Sequence, residues 1–377
     1  MTTFTSKDVA RVAGVSQSTV SYVMSGKRPI SERTRQRVLA AIEQLTYEPN
    51  AGARALASQR TRVIGLVVPF GSGSDTAGLL PFIETIAGAA RANDHEVLLV
   101  TADEGSAGLR RLAGRSLCDA IVLMDILTRD ERVPVAASLR IPVILIGVPE
   151  DPAGLRCVDV DFPAAARLAV DELAATGHRR VAFLDYPREM AERGLNFVHR
   201  FLDTAQAAAD DHGLQQALIS PLEPDRQAVQ DAVDRALAFG DGDRLGIVIP
   251  SSQVLQRALH ALRVRGVRPG RDVSVIALCT DATAEESEPP VTNVSLEPRD
   301  VSRRAMQTLF WLFDPTPDAA PPAIDLVAPR LTRRGSVIDG WRSWTIPGRW
   351  WSASSTSSTA SSTPRKPLLT TMGCSRR

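Results

Sequence analysis

The 377-residue chain contains no run of eighteen uninterrupted apolar residues, the length at which a membrane-spanning helix becomes a candidate. Its first residues include Lys7, Asp8 and Arg11 with no apolar stretch behind them, so no export signal is read there and a cytoplasmic protein with no membrane partner is expected. Cysteine is sparse. Cys118, Cys157, Cys279 and Cys374 lie far apart, without the C-x-x-C spacing of zinc or redox sites, and are read as reduced thiols, mostly core filler. Five histidines are scattered singly, and no Gly-rich phosphate loop of proper spacing, G-x-S-x-G, H-E-x-x-H or credibly placed carboxylate pair is found. Catalysis is poorly supported, and neither metal nor cofactor is expected.

What is present begins with length, which exceeds what one hydrophobic core usually serves and implies two or three domains. The net charge of +1 conceals an asymmetry: residues 1–62 carry ten Lys/Arg against four Asp/Glu, residues 341–377 carry six against none, and the segment between them is left at −11. A basic head on an acidic body is the electrostatic footprint of a phosphate-binding module, although many solvated helices are basic too.

Residues 1–46 read as three short helices. Thr5-Ser6-Lys7-Asp8 fits a capping box ahead of Val9, Val12 and Ala13, and Gly14 ends that helix. Ser16 caps a second helix burying Val20, Val23 and Met24, and Ser31 opens a third with Val38, Ile42 and Leu45. Residues 47–61 form a linker holding a latent helix, Ala-rich and too short to be stable without a partner.

From 62 to 340 strands and helices alternate, which implies parallel sheets in two α/β lobes. Strands are expected at Val63–Val68, Glu96–Thr101, Ala120–Met124, Pro142–Gly147, Cys157–Asp161, Val181–Leu184, near Leu218, Leu245–Ile249 and Val273–Leu278. Residues 341–377, rich in Ser and Thr and basic, bury too little apolar surface to order and are expected to be a disordered tail.

The block from Asp8 to Val23 carries the strongest signal: one helix ends in glycine and a Ser-capped second helix begins two residues later, the spacing of a helix-turn-helix. Ser16, Thr19 and Ser21 suit phosphate oxygens, while Gln17, Ser18 and Tyr22 have the reach for base edges. Gln can bond adenine in a bidentate way, discriminating by roughly 1–3 kcal/mol.

Asp8-Val9-Ala10, Ala13-Gly14-Val15-Ser16, Thr19-Val20-Ser21, Thr34-Arg35, Tyr47, Pro49-Asn50, Ala53-Arg54, Leu56, Ile64-Gly65, Pro329-Arg330-Leu331, Arg334 and Ser336 together resemble the signature of the lactose-repressor (LacI/GalR) family, over residues 4–338. The resemblance implies a transcriptional regulator, in most cases a repressor, binding pseudo-palindromic operator DNA as a homodimer. It places Gln17, Ser18 and Tyr22 at base-reading positions, Thr5, Ser16, Ser21, Ser25, Thr34 and Asn50 at backbone-contacting ones, and Leu56, beside Ala53, at the minor-groove wedge. It also implies a body like the periplasmic sugar-binding proteins, with a small-molecule effector, a sugar or related metabolite, between the lobes. Phe70 would stack on that ligand, Asp161 would sit at the cleft edge and Arg200 would face the ligand.

Each role has an alternative: Tyr22 as a packed surface aromatic, Leu56 as a surface cap, Arg200 as an exposed helix arginine. Arg33, Arg35 and Arg37 read as a solvated, phosphate-facing helix side. The chain departs from the family at Pro250-Ser251-Ser252 and at Ala277-Leu278-Cys279-Thr280, where family carboxylates are replaced; Ser252 and, with a one-residue shift, Asp281 are left as the expected effector contacts there. Fewer acceptors for sugar hydroxyls remain, so an unusual effector, or none, is expected. An enzyme and a secreted solute-binding protein compete with this reading; the basic head argues against the second.

Overall fold

In the computed structural model, which describes residues 4–25, 28–47, 60–70, 76–220, 223, 225–316 and 320–338, the chain opens with three helices whose ends are fixed by capping residues. Helix α1 (Ser6–Ala13) starts after Thr5, whose backbone N–H and hydroxyl donate to the Asp8 carboxylate at 2.9 and 2.7 Å. The backbone bond from Thr5, then its hydroxyl and Arg11, hold that carboxyl below its usual range. The helix stops at Gly14, which takes a left-handed φ of 60°. Helix α2 (Gln17–Ser25) follows Ser16, whose hydroxyl accepts from the Thr19 N–H at 3.1 Å; α3 (Glu32–Gln44) follows Ser31, bonded in the same way to the Thr34 N–H at 3.4 Å.

One small core joins them: Val9, Ala10, Ala13, Val20, Val38 and Ala41 are buried, with Val15, Val23, Ile42, Leu45 and Tyr47 packed around. Met24, expected inside, is not. Val12 and Met24 are 43% and 39% exposed. The inward face of α1 runs through Val9, Ala10 and Ala13, leaving Val12 at its edge, and Met24 lies in the last turn of α2, past the end of the core.

Beyond residue 60 the first lobe contains β1 (Val63–Val68), α4 (Thr76–Ala92), β2 (Glu96–Thr101), α5 (Gly105–Gly114), β3 (Ala120–Leu123), α6 (Arg132–Ala137), β4 (Val143–Ile146) and β5 (Arg156–Val160). The second begins with α7 (Phe162–Ala175), β6 (Arg180–Leu184), α8 (Arg188–Glu192), α9 (Asn196–Asp211), β7 (Gln215–Ile219) and α10 (Arg226–Gly240). It continues through β8 (Leu245–Ile249), α11 (Ser252–Val264), β9 (Ser274–Leu278), α12 (Asp281–Glu285) and β10 (Thr292–Val294). The chain then returns to the first lobe: α13 (Pro298–Phe313) packs on α4, β4 and β5, and β11 (Ile324–Val327) pairs with β5. It ends beside β10 with β12 (Leu331–Thr332).

The sheets run β11-β5-β4-β3-β1-β2 and β12-β10-β9-β8-β6-β7. All neighbours are parallel except β12, antiparallel to β10. Strands β3, β4, β8 and β9 are buried at every residue, which accounts for their continuous apolar runs.

Three crossings connect the lobes, at Asp161, at 295–297 and at 328–330, and they are bonded to one another. The Asp161 N–H donates to the Val327 carbonyl at 3.0 Å and the Ser295 N–H to the Arg330 carbonyl at 2.9 Å. The Ser295 hydroxyl accepts from the Arg330 N–H at 3.2 Å. The expected two-lobed α/β body is therefore present. Most of the linker, with Asn50, Ala53 and Leu56, and the expected disordered tail lie outside the described residues.

Candidate nucleic-acid interface and ligand cleft

The turn between α1 and α2 is held from outside by α3. Arg37 donates from Nε to the Ala13 carbonyl at 3.1 Å and from Nη2 to the Gly14 carbonyl at 2.9 Å, with a closer Nη2 contact to Ala13. These carbonyls end α1 and lack helical partners, so a guanidinium there satisfies both hydrogen bonding and the helix dipole. Arg37 thus braces the turn while remaining exposed, as are Arg33 and Arg35 on the same helix.

Along α2, Gln17, Ser18 and Ser21 are exposed, and Thr19 and Tyr22 are half-buried. Gln17 Nε2 donates to the Ser6 hydroxyl at 2.7 Å, which orients it along the α1–α2 junction. The Ser16 hydroxyl lies 2.8 Å from those of both Ser18 and Thr19. Arg28 stands over the Tyr22 ring, 5.7 Å from its centroid, so this aromatic is joined to a cation at the surface. Thr5 caps α1, and Thr34 bonds Ser31 through its hydroxyl at 2.8 Å. Ser25 closes α2, and its side chain is outside the described residues.

In the body, a cavity of about 830 Å³ opens where strands of both sheets end. Pro69 follows β1, Asp125 follows β3, Gly147 follows β4, Tyr186 follows β6, Pro250 follows β8, Thr280 follows β9 and Ser295 follows β10, and all line it. Carboxyl ends of parallel strands are where open α/β sheets bind ligands. Gly147 is required at its place: its φ is 124°, and a Cβ there would lie 2.8 Å from Ile126 Cβ.

Across the mouth, residues 193–196 of the second lobe lie on residues 125–128 of the first. Thr128 N–H donates to the Gly194 carbonyl at 2.8 Å, Asn196 N–H to the Ile126 carbonyl at 3.3 Å, and Arg193 pairs with Asp125. The Asp125 loop is itself braced, since Arg132 Nη2 reaches the Asp125 carbonyl at 2.7 Å and the buried Asp130 carboxylate at 2.6 Å.

Ser252 and Asp281 line the cleft, whereas Phe70, Asp161 and Arg200 do not. Phe70 lies one residue beyond the wall residue Pro69 and is 37% exposed. The Asp161 carboxylate is used as the N-cap of α7, accepting from the Ala164 N–H at 3.0 Å. Arg200 lies about one turn along α9 from the wall residue Phe197, and its charge acts on the wall residue Asp159; its Nη1 is buried without a hydrogen-bond partner among the described residues.

Residues missed by sequence reasoning are Arg193, Asp159, Tyr186 and Phe197, all in the wall. Asp159 falls inside an expected strand, and burial pushes its carboxyl up to about 7 against the lowering effects of the Val160 N–H and Arg200. Tyr186, 3% exposed, has its hydroxyl buried without a partner among the described residues, and burial followed by Asp185 and Asp159 pushes its phenol up. Position gave a usable signal for Tyr186 alone, two residues past the end of β6; Asp159 lies inside β5, Arg193 ends α8 and Phe197 lies in the first turn of α9.

Residues 5–50 match the lacI family of bacterial regulatory proteins, and residues 170–337 match the periplasmic binding protein-like domain. The HTH-type transcriptional regulator CelR of Thermobifida fusca is 30% identical over 322 residues, 80% of this chain and 89% of that protein. The chain belongs to the lacI family.

Among other lacI-family relatives, the catabolite control protein A of Priestia megaterium is 27% identical over 80% of this chain and 90% of its own length. The fold is that of the lac repressor dimer bound to operator and the anti-inducer ONPF, with a TM-score of 0.75 at 19% identity over 89% of this chain and 100% of that one. The CelR–cellobiose complex gives a TM-score of 0.57 at 24% identity over 88% of this chain and 99% of that one. Among the described residues no helix is long and apolar enough to cross a membrane, and no cluster of three metal-ligating side chains occurs.

Proposed function

We propose that this lacI-family regulator acts as a homodimeric repressor that binds a pseudo-palindromic operator in the cytoplasm, with no catalytic role. Residues 1–46 form the DNA-binding head, 47–61 the hinge, 62–340 the effector-binding and dimerisation body and 341–377 a tail. The observation that carries this reading is the Arg37-braced turn, which presents Gln17, Ser18 and Ser21 on the exposed side of a Ser16-capped helix. In that arrangement Gln17, Ser18 and Tyr22 face base edges, and Thr5, Ser16, Thr19, Ser21, Ser25, Thr34 and Asn50 meet the phosphate backbone. Paired hinge helices carrying Ala53 and Leu56 enter the minor groove between half-sites.

An effector in the cleft shifts the balance between lobe arrangements with different operator affinity, and its effect is bounded by its differential affinity for the two. The relatives' names point to sugars; Ser252 and Asp281 are the expected contacts present in the wall.

The test is a salt titration of the full chain on operator selected from random duplexes. Specific binding is to exceed non-specific binding by about 10³ or more and to weaken steeply with salt. Leu56→Ala is to reduce specific affinity while sparing most non-specific affinity. Equal losses in both remove the hinge role, and binding without site preference or salt dependence removes the function itself.

A further inference from the structure

The cleft's chemistry bears on what enters it. Its floor is aromatic: Phe162 and Phe197 stack with centroids 5.1 Å apart and planes at 27°, and Tyr186 meets Phe197 edge-on at 5.6 Å. From the facing lobe Leu79, Phe82 and Met124 complete an apolar enclosure. Such a surface takes up a flat apolar ring through area burial and ring packing.

Several of the wall's polar groups are committed to neighbouring side chains. Gln256 donates to the Ser287 hydroxyl at 3.0 Å, the Thr280 and Thr283 hydroxyls lie 2.9 Å apart, and Asn293 donates to Asp281 at 3.0 Å. Both arginines of the wall face carboxylates, Arg193 with Asp125 and Arg299 with Glu84 at 2.9 Å. A phosphate or carboxylate ligand would have to compete for them.

A sugar presents several hydroxyls, each a donor and a double acceptor. Every hydroxyl left unpaired in a dry site weakens binding by roughly 10-fold. By contrast, the Tyr186 hydroxyl is enclosed at the cleft floor without a partner among the described residues, so a single polar group of a ligand that reaches it through a small side-chain shift would satisfy it.

We propose that the ligand of this cleft is a neutral, ring-bearing and mostly apolar molecule whose single hydroxyl or carbonyl meets Tyr186, and is not a polyhydroxylated sugar or a sugar phosphate. This rests on the cleft being the effector site. Phe197 and Phe162 supply the stacking face, Phe82 and Leu79 close over it, and Tyr186 sets the orientation.

The test uses the full chain and four probes: 2-naphthol, naphthalene, cellobiose and glucose 6-phosphate, followed by fluorescence for the first pair and calorimetry for the second. 2-Naphthol is expected to bind at or below roughly 100 µM and at least 10-fold tighter than either carbohydrate. Tyr186→Phe, which retains the ring, is expected to weaken 2-naphthol about 10-fold and leave naphthalene unchanged. The proposal is overturned if either carbohydrate binds more tightly than 2-naphthol, if 2-naphthol does not bind in that range, or if Tyr186→Phe is without effect. Leu79→Trp and Met190→Trp fill the cleft from opposite lobes. If any probe's binding survives both, the ligand lies elsewhere and the cleft reading fails separately.

Discussion

Arg37 offers the sharpest test of how the head is held. A solvated arginine on α3 and a brace on the α1–α2 turn make different predictions, and the structure places its guanidinium on the Ala13 and Gly14 carbonyls. Arg37→Ala removes these bonds; the side chain is exposed, so water replaces part of what is lost. At about 0.5–1.5 kcal/mol for each net bond, discounted for exposure, the loss is about 1–2 kcal/mol. A head of this size holds only about 2–6 kcal/mol in total, so the change is a large fraction of its stability. Circular dichroism melting of the full chain should show the helical head transition lowered by on the order of 5–10 °C. Arg33→Ala and Arg35→Ala serve as controls and should shift stability by less than about 0.5 kcal/mol. If Arg37→Ala melts like the parent chain but reduces the salt slope of DNA binding by about one phosphate contact, the brace is wrong and Arg37 is a phosphate ligand.

The raised Asp159 carboxyl carries a pH signature. Because its folded value of about 7 exceeds the ordinary carboxyl value of 3.8, the folded state holds the extra proton between them, and stability falls as pH rises from about 4 to 7. Asp159→Asn should abolish that decline and stabilise the body above pH 7; denaturant titrations from pH 4 to 8 with an unchanged slope would contradict it. Burial also pushes Cys118 up to about 11 and Cys157 and Cys279 up to about 12. These three thiols should resist iodoacetamide at pH 8 in the folded chain and react after unfolding, as counted by peptide mass spectrometry; prompt native labelling of any one would show that its burial is not maintained.

The head was legible because its signals are local. Thr5, Gly14, Ser16 and Ser31 each set a helix boundary with their own side chain or backbone, and spacing alone located all three helices. The paired strands were legible where they were long and buried on both faces, as at Leu245–Ile249. What escaped was short or remote. Strands β10, β11 and β12 have three, four and two residues and leave no readable period, and α13 follows a crossing whose return to the first lobe depends on pairing with β5. The cleft residues escaped for a related reason: Tyr186 and Arg193 look like ordinary loop residues until β6 and the 193–196 segment are placed against the other lobe. Arg37 was misread because its partners are backbone carbonyls, which sequence does not display.

The same placement ties ligand to hinge in physical terms. The bonds that hold the second lobe to the first at the mouth come from Asp125, Thr128, Arg193 and Asn196, and Asp125 and Arg193 are also wall residues. A ligand that packs against Phe197 on one lobe and Phe82 on the other therefore adds contact only when this latch is closed, and it loses that contact when the lobes part. The three crossings are bonded side by side through Asp161, Ser295 and Arg330. Strand β1, which follows the linker directly, belongs to the first lobe. The coupling from cleft to head is thus set by how much of the ligand's contact surface spans both lobes, and a ligand held by one lobe alone would bind without altering the linker.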